Sequence, residues 1–132
     1  MHRNLYTLGD SNPQMDLRAT LGPIFVANKV RLVLSGHMHG YERFEVGDIT
    51  YVTTAGGGGV IGDVNQNVPN FPADVPLRKS AAPAYHALLV DVTPTSATAT
   101  SLHLRAVGCD KDACQKPADY GKTVDEATKE IP

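Results

Sequence analysis

Leu34-Ser35-Gly36-His37-Met38-His39-Gly40-Tyr41-Glu42-Arg43 decides how this chain is read. It follows the apolar run Val30 to Leu34, which has the composition of a short strand. Two imidazoles then stand two residues apart between glycines. A strand that ends in such a loop presents side chains at its C-terminal end, where ligands of open α/β sheets gather. Gly36 and Gly40 allow unusual dihedrals on either side, so the two rings can converge. Neutral imidazole suits zinc, iron, manganese and related ions. The spacing has a second reading, because on an extended strand it merely puts two histidines on one face.

Working outward, Asp10-Ser11-Asn12-Pro13 reads as a helix cap, with Ser11 or Asn12 accepting from free N–H groups and Pro13 in the first turn. Leu17, Leu21, Ile24, Phe25 and Val26 then mark a helix with one buried stripe. Gly22-Pro23 predicts a kink or two short helices. The strand from Val30 follows a helix, so a buried parallel strand is expected. Phe44 to Val46, the Gly47-Asp48 turn and Ile49 to Thr54 predict a hairpin. Gly56 to Gly59 reads as a tight turn beside the histidine loop. It lacks the Lys-Ser/Thr of a P-loop.

Gly62 to Pro83 carries Pro69, Pro72, Pro76 and Pro83 with Asn65, Asn67 and Asn70, and reads as a long surface loop. Tyr85 to Val92 and Thr95 to Leu104 predict a half-exposed antiparallel pair joined by Thr93-Pro94. Thr123 with Glu126 has the form of a capping box, which predicts a short helix over Val124 to Glu130. His86 reads as a core histidine and His103 as an ordinary strand residue.

At 132 residues the chain makes one domain at most, and 42% apolar content with 20% charge supports a packed core. A formal net charge of −2 gives no case for nucleic-acid binding through a basic patch. No apolar run approaches the roughly 20 residues of a bilayer span. Cys109 and Cys114 stand without other cysteines, which favours a small disulfide loop over a metal site. Such a loop implies an oxidising compartment, and two free thiols remain the alternative.

Gly36-His37-Met38-His39-Gly40-Tyr41-Glu42-Arg43 resembles the last metal motif of the calcineurin-like metallophosphoesterases, and the Tyr-Glu-Arg extension resembles the purple acid phosphatase branch. Met1-His2-Arg3-Asn4-Leu5-Tyr6 is similar to that family's preceding histidine motif. Leu21-Gly22-Pro23-Ile24 resembles its helix before the final motif, Tyr51 to Gly59 its strand and glycine-rich turn, and Tyr85 to Val92 its closing strand. The resemblance covers residues 1 to 104 and leaves 105 to 132 as a tail with the short disulfide loop.

The resemblance implies an α/β fold, the C-terminal half of a layered β-sandwich flanked by helices. It implies a phosphoric ester hydrolase with two metal ions, of iron, zinc, manganese or similar identity. His2 and His37 match ligands of one metal and His39 a ligand of the other. Tyr41 and Arg43 have two readings: they orient the loop and face the phosphate-ester substrate, or they form a structural salt bridge beside a packed tyrosine. The family's bridging aspartate, further aspartates and Asn-His pair have no counterpart in this sequence, and Asp10 reads as cap chemistry. The expectation is therefore a histidine-rich half of a dinuclear site, whose missing N-terminal half is a required partner. Two alternatives stand: an inactive or partner-completed half-domain with weak metal affinity, and a phosphodiesterase. Secretion or a periplasmic location is expected from the resemblance and the cysteines.

Overall fold

Ile49, Thr50, Val52, Thr53 and Thr54 are β-branched, and they form the strand around which a computed structural model of residues 1–114 and 116–131 is arranged. In chain order the elements are α1 (Met15–Ala27), β1 (Leu32–Ser35), β2 (Tyr41–Val46), β3 (Ile49–Thr54), β4 (Arg78–Ala82), β5 (Ala84–Pro94), β6 (Thr100–Asp110) and β7 (Lys122–Ile131). The first sheet has the order β1-β3-β2-β4 and the second β5-β6-β7. β1 runs parallel to β3, with Val33 opposite Tyr51. The β2–β3 hairpin turns at Gly47, whose φ of 57° suits a residue without a Cβ. The fold is α/β, as expected.

Alternation sends successive side chains to opposite faces of the first sheet. Val33, Phe44, Ile49 and Tyr51 face the helix side, packing on Leu5, Leu8, Leu21 and Phe25. Tyr41 and Val52 face the second sheet, packing on Leu102, Leu104 and Ala106. β3 is buried on both faces because helix and second sheet cover it from either side.

Several expectations are corrected. α1 is one helix rather than two, with Pro23 inside it, and its N-cap is Gln14, which makes no side-chain cap bond. Ser11, Asn12 and Asp10 therefore do not cap it. β1 buries only Val33 fully, so it is an edge strand rather than a fully covered one. The loop from Gly62 ends in β4, which pairs with the free edge of β2. Val124 to Glu130 is strand, not helix. There Asp125, Ala127, Lys129 and Ile131 turn inward along a β-branched segment, and pairing with β6 outweighs the local capping pattern. The boundary expected at residue 104 falls within β6, and the turn between β5 and β6 lies beyond Pro94. Cys109 and Cys114 are disulfide-bonded, with Cα atoms 5.4 Å apart. Among the described residues no helix is long and apolar enough to cross a membrane.

Candidate functional site

Met38 is what shapes the histidine loop. Its side chain is completely buried, whereas His39 is exposed and His37 half-buried. The pocket that receives it is made by glycines. A Cβ on Gly9 would lie 2.6 Å from Met38 Cγ, and one on Gly40 3.3 Å from its sulfur. With the middle residue pinned inward, the histidines on either side are turned outward. The turn places His37 at φ 65°, a left-handed conformation that costs a non-glycine residue energy and clusters at functional sites.

The segment before α1 brings His2 to the same place. Gly36 N–H donates to the His2 carbonyl at 3.0 Å, laying residues 1–3 beside the end of β1. Asn4, fully buried, donates to Ser35 Oγ at 3.1 Å and to Thr53 Oγ1 at 2.8 Å. Glu42 holds the other end of the segment. It accepts from Thr7 Oγ1 at 2.6 Å and from Leu8 N–H at 2.9 Å, and Arg78 stands 3.3 Å away. Burial pushes the Glu42 carboxyl above its ordinary value, against the opposing pull of these donors.

His37 Nδ1 lies 3.1 Å from His2 Nε2, and the rings meet edge to face. Arg3 Nη1 lies 2.7 Å from His37 Nε2. A guanidinium only donates, so His37 Nε2 accepts. The neutral ring then carries its proton on Nδ1 and donates to His2. Burial first, then the positive neighbours Arg3, His2 and His39, hold the His37 imidazolium below its ordinary value, with Asp10 opposing. The neutral form that can ligate a metal is thereby favoured.

His39 is separate. Its Nδ1 lies 3.0 Å from the Val60 carbonyl, which can only accept. The proton is therefore on Nδ1, and the lone pair is on the exposed Nε2. A backbone carbonyl that fixes the ring in this way is the usual support of a metal-binding histidine. Gly59 makes room for it, since a Cβ there would lie 2.5 Å from His39 Cε1.

The donors are of a kind that ligates metals, His39 with an oriented lone pair and His2 and His37 side by side, but they are a partial set. Among the described residues no three His, Cys, Asp or Glu side chains stand together as a metal site.

Tyr41 and Arg43 are placed elsewhere. Both point to the second sheet and bond Asp125, at 2.7 Å from the Tyr41 hydroxyl and 2.6 Å from Arg43 Nε. Arg43 also lines an inter-sheet cleft of about 310 Å³ with Glu45, Thr50, Leu102, Leu104 and Lys129. His86 is a core residue, between the Ala84 carbonyl and Thr54 Oγ1 and edge-on to Tyr41. His103 bonds Glu126 on the second sheet.

Sequence reasoning gives Arg3 and Met38 no role and misplaces Asp10. Arg3 adjoins a candidate ligand, which was the available signal. Met38 was legible as the apolar residue between two polar ones. Asp10 was assigned to a cap, whereas its carboxylate packs on Gly62 and its charge reaches His37.

No family model matches the chain. Over 56 residues, 42% of its length, the chain is 46% identical to Purple acid phosphatase 5 of Arabidopsis thaliana, and this stretch covers 14% of that protein. Its fold is similar, with a TM-score of 0.66 and 15% identity, to a structure described as GAP50, the anchor in the inner membrane complex of Plasmodium. That likeness covers 99% of this chain and 35% of the other. The chain therefore resembles a purple acid phosphatase in part of its sequence and GAP50 in fold, and it spans well under half of either protein.

Proposed function

We propose that this chain forms the histidine-bearing wall of a metal-dependent phosphoric ester hydrolase, acting on phosphate monoesters. The observation that carries the reading is His39, whose Nδ1–H is fixed on the Val60 carbonyl and whose Nε2 is left open at the surface. The partial identity with Purple acid phosphatase 5 supports the same chemistry. His39 would hold one metal of a pair, and His2 with His37 would hold the other. The chemistry such a pair supplies is clamping of phosphate oxygens and a lowered pKa of bound water. Within the chain, Met38 and Gly59 set the direction of the rings, and Glu42 holds the segment that delivers His2. Tyr41 and Arg43 act at one remove, by fixing the strand that leaves the loop. The Cys109–Cys114 bond supports an exported protein.

A second reading has its own observation. With no three ligating side chains together among the described residues, the chain by itself would hold metal weakly and need a partner segment for turnover. Hydrolysis of p-nitrophenyl phosphate with added zinc, manganese or iron separates the two. Turnover that is lost in His37→Ala and His39→Ala supports the complete hydrolase. Histidine-dependent zinc binding without turnover supports the partner-completed half. Absence of both sinks the metal reading. Bis-p-nitrophenyl phosphate, run in parallel, distinguishes a diesterase.

A further inference from the structure

We infer that the Arg3 guanidinium and a metal ion are mutually exclusive partners of His37. The inference rests on the ligand reading above and extends it to a residue that reading does not use.

A neutral imidazole has one lone pair. In this structure Arg3 holds it, through Nη1 at 2.7 Å from His37 Nε2. Two routes to a metal exist, and each expels Arg3. Coordination through Nε2 takes the atom that Arg3 occupies. Coordination through Nδ1 is geometrically close at hand, because His37 Nδ1 and His2 Nε2 are 3.1 Å apart. Two nitrogens bound at about 2.0–2.1 Å on a tetrahedral ion sit roughly 3.3 Å from each other. That route, however, moves the ring proton from Nδ1 to Nε2. An N–H then faces the Arg3 N–H, and a guanidinium cannot accept. Whichever nitrogen binds, the contact with Arg3 ends.

Arg3 is thus a resident cation that keeps the His2–His37 pair occupied until a metal replaces it. Its side chain is exposed and free to swing away. Once released, its planar fork of donors is suited to a phosphate oxyanion rather than to a ring.

The test uses the full chain, zinc alone as probe, and Arg3→Met, which keeps an apolar stem and removes every donor. Long-range proton–nitrogen NMR reads the His37 tautomer, and calorimetry reads zinc affinity. The wild type should show the Nδ1–H tautomer with Nε2 shifted as an acceptor, and Arg3→Met should lose that shift. Zinc should bind Arg3→Met about tenfold more tightly or better, the worth of a hydrogen bond to a charged group. Arg3→Gln separates charge from lone-pair occupancy, since its amide N–H can still donate to the ring without the charge: zinc affinity in Arg3→Gln equal to that in Arg3→Met, with a wild-type difference that fades with salt, makes the effect Coulombic and overturns lone-pair occupancy. Equal zinc affinity in wild type and Arg3→Met, or a wild-type ring protonated on Nε2, overturns the role of Arg3 alone. Zinc binding to none of the three overturns it together with the ligand reading.

Discussion

The Tyr41 hydroxyl donates to Asp125 Oδ2 at 2.7 Å, joining the residue that leaves the histidine loop to the last strand of the second sheet. Arg43 Nε reaches the same oxygen at 2.6 Å. Both side chains lie on the face of β2 opposite Glu42. One strand therefore serves two anchors: Glu42 holds the N-terminal segment, and Tyr41 with Arg43 ties the first sheet to the second. The loop ahead of Gly40 is braced from both sides. Burial, then the Asp125 carboxylate, keeps the Tyr41 phenol well above its ordinary value, so it donates throughout the accessible pH range.

Asp125→Asn should test this brace. The variant keeps the shape but removes the charge, leaving Arg43, whose side chain is 12% exposed, without its main partner. A loss of about 2–3 kcal/mol is expected. Burial raises the Asp125 carboxyl, but the bonds from Arg43 and Tyr41 outweigh it and hold the group below its ordinary value. The folded value is thus depressed relative to the unfolded one. Its stabilisation is full above the ordinary carboxylate range, about pH 4, and is lost as pH falls through the folded value. Melting curves should show the gap between wild type and Asp125→Asn closing on acidification. A gap independent of pH would contradict the assignment.

Glu42→Gln should act on the opposite face. Every group around Glu42 is a donor: the Thr7 hydroxyl, the Leu8 N–H and Arg78. An amide nitrogen in place of Oε1 meets Leu8 N–H and Arg78 with a donor; in place of Oε2 it forces the Thr7 hydroxyl to turn from donor to acceptor, and either way the negative charge facing Arg78 is lost. The expected cost is about 3 kcal/mol in urea unfolding. Hydrogen exchange at Leu8 should rise more than exchange at Val52, which the substitution does not touch. Uniform protection would show that Glu42 does not hold the segment.

Much of this arrangement was legible in the sequence, and the exceptions share a cause. The histidine loop and the hairpin are local patterns, with glycines and alternation written in adjacent residues; the buried stripe expected on α1 is only partly there, since Leu21 and Phe25 pack on the sheet while Leu17, Ile24 and Val26 are exposed. What escaped were partnerships across long separations. Asp125 reads as one acid in a mixed segment until β7 pairs with β6 and turns it toward Tyr41. Val124 to Glu130 satisfies a helical capping pattern, but the free edge of β6 supplies hydrogen bonds that an isolated helix could not match. Tyr41 and Arg43 adjoin the histidines in sequence, yet the face they occupy on β2 directs them away. Arg3 reaches His37 only because the Gly36–His2 backbone bond lays the first residues beside β1.

Met38→Ala should loosen the loop itself. Removing most of a completely buried side chain costs about 2–5 kcal/mol. Met38→Leu, similar in volume, should cost less than about 1.5 kcal/mol. If Met38 orients the rings, alanine should also weaken zinc binding in chains still folded at the assay temperature, and leucine should not. Equal affinities in all three proteins would show that the histidines orient themselves.

Gly59→Ala separates ring orientation from stability. Its Cβ would lie 2.5 Å from His39 Cε1 and 2.6 Å from Nδ1, closer than real atoms approach. His39 is exposed, so the ring yields rather than the fold, and the stability change should stay within about 0.5 kcal/mol. The cost falls on the bond from Nδ1 to the Val60 carbonyl, and with it on the fixed Nε2 lone pair. Loss of such a supporting contact typically weakens a histidine's metal affinity by about 10–100-fold, so zinc titration should report a fall within that range. Gly57→Ala is the control, because a Cβ there meets nothing within 4 Å. If Gly59→Ala binds zinc as Gly57→Ala does, His39 is not a ligand, and the open Nε2 is only an exposed ring atom.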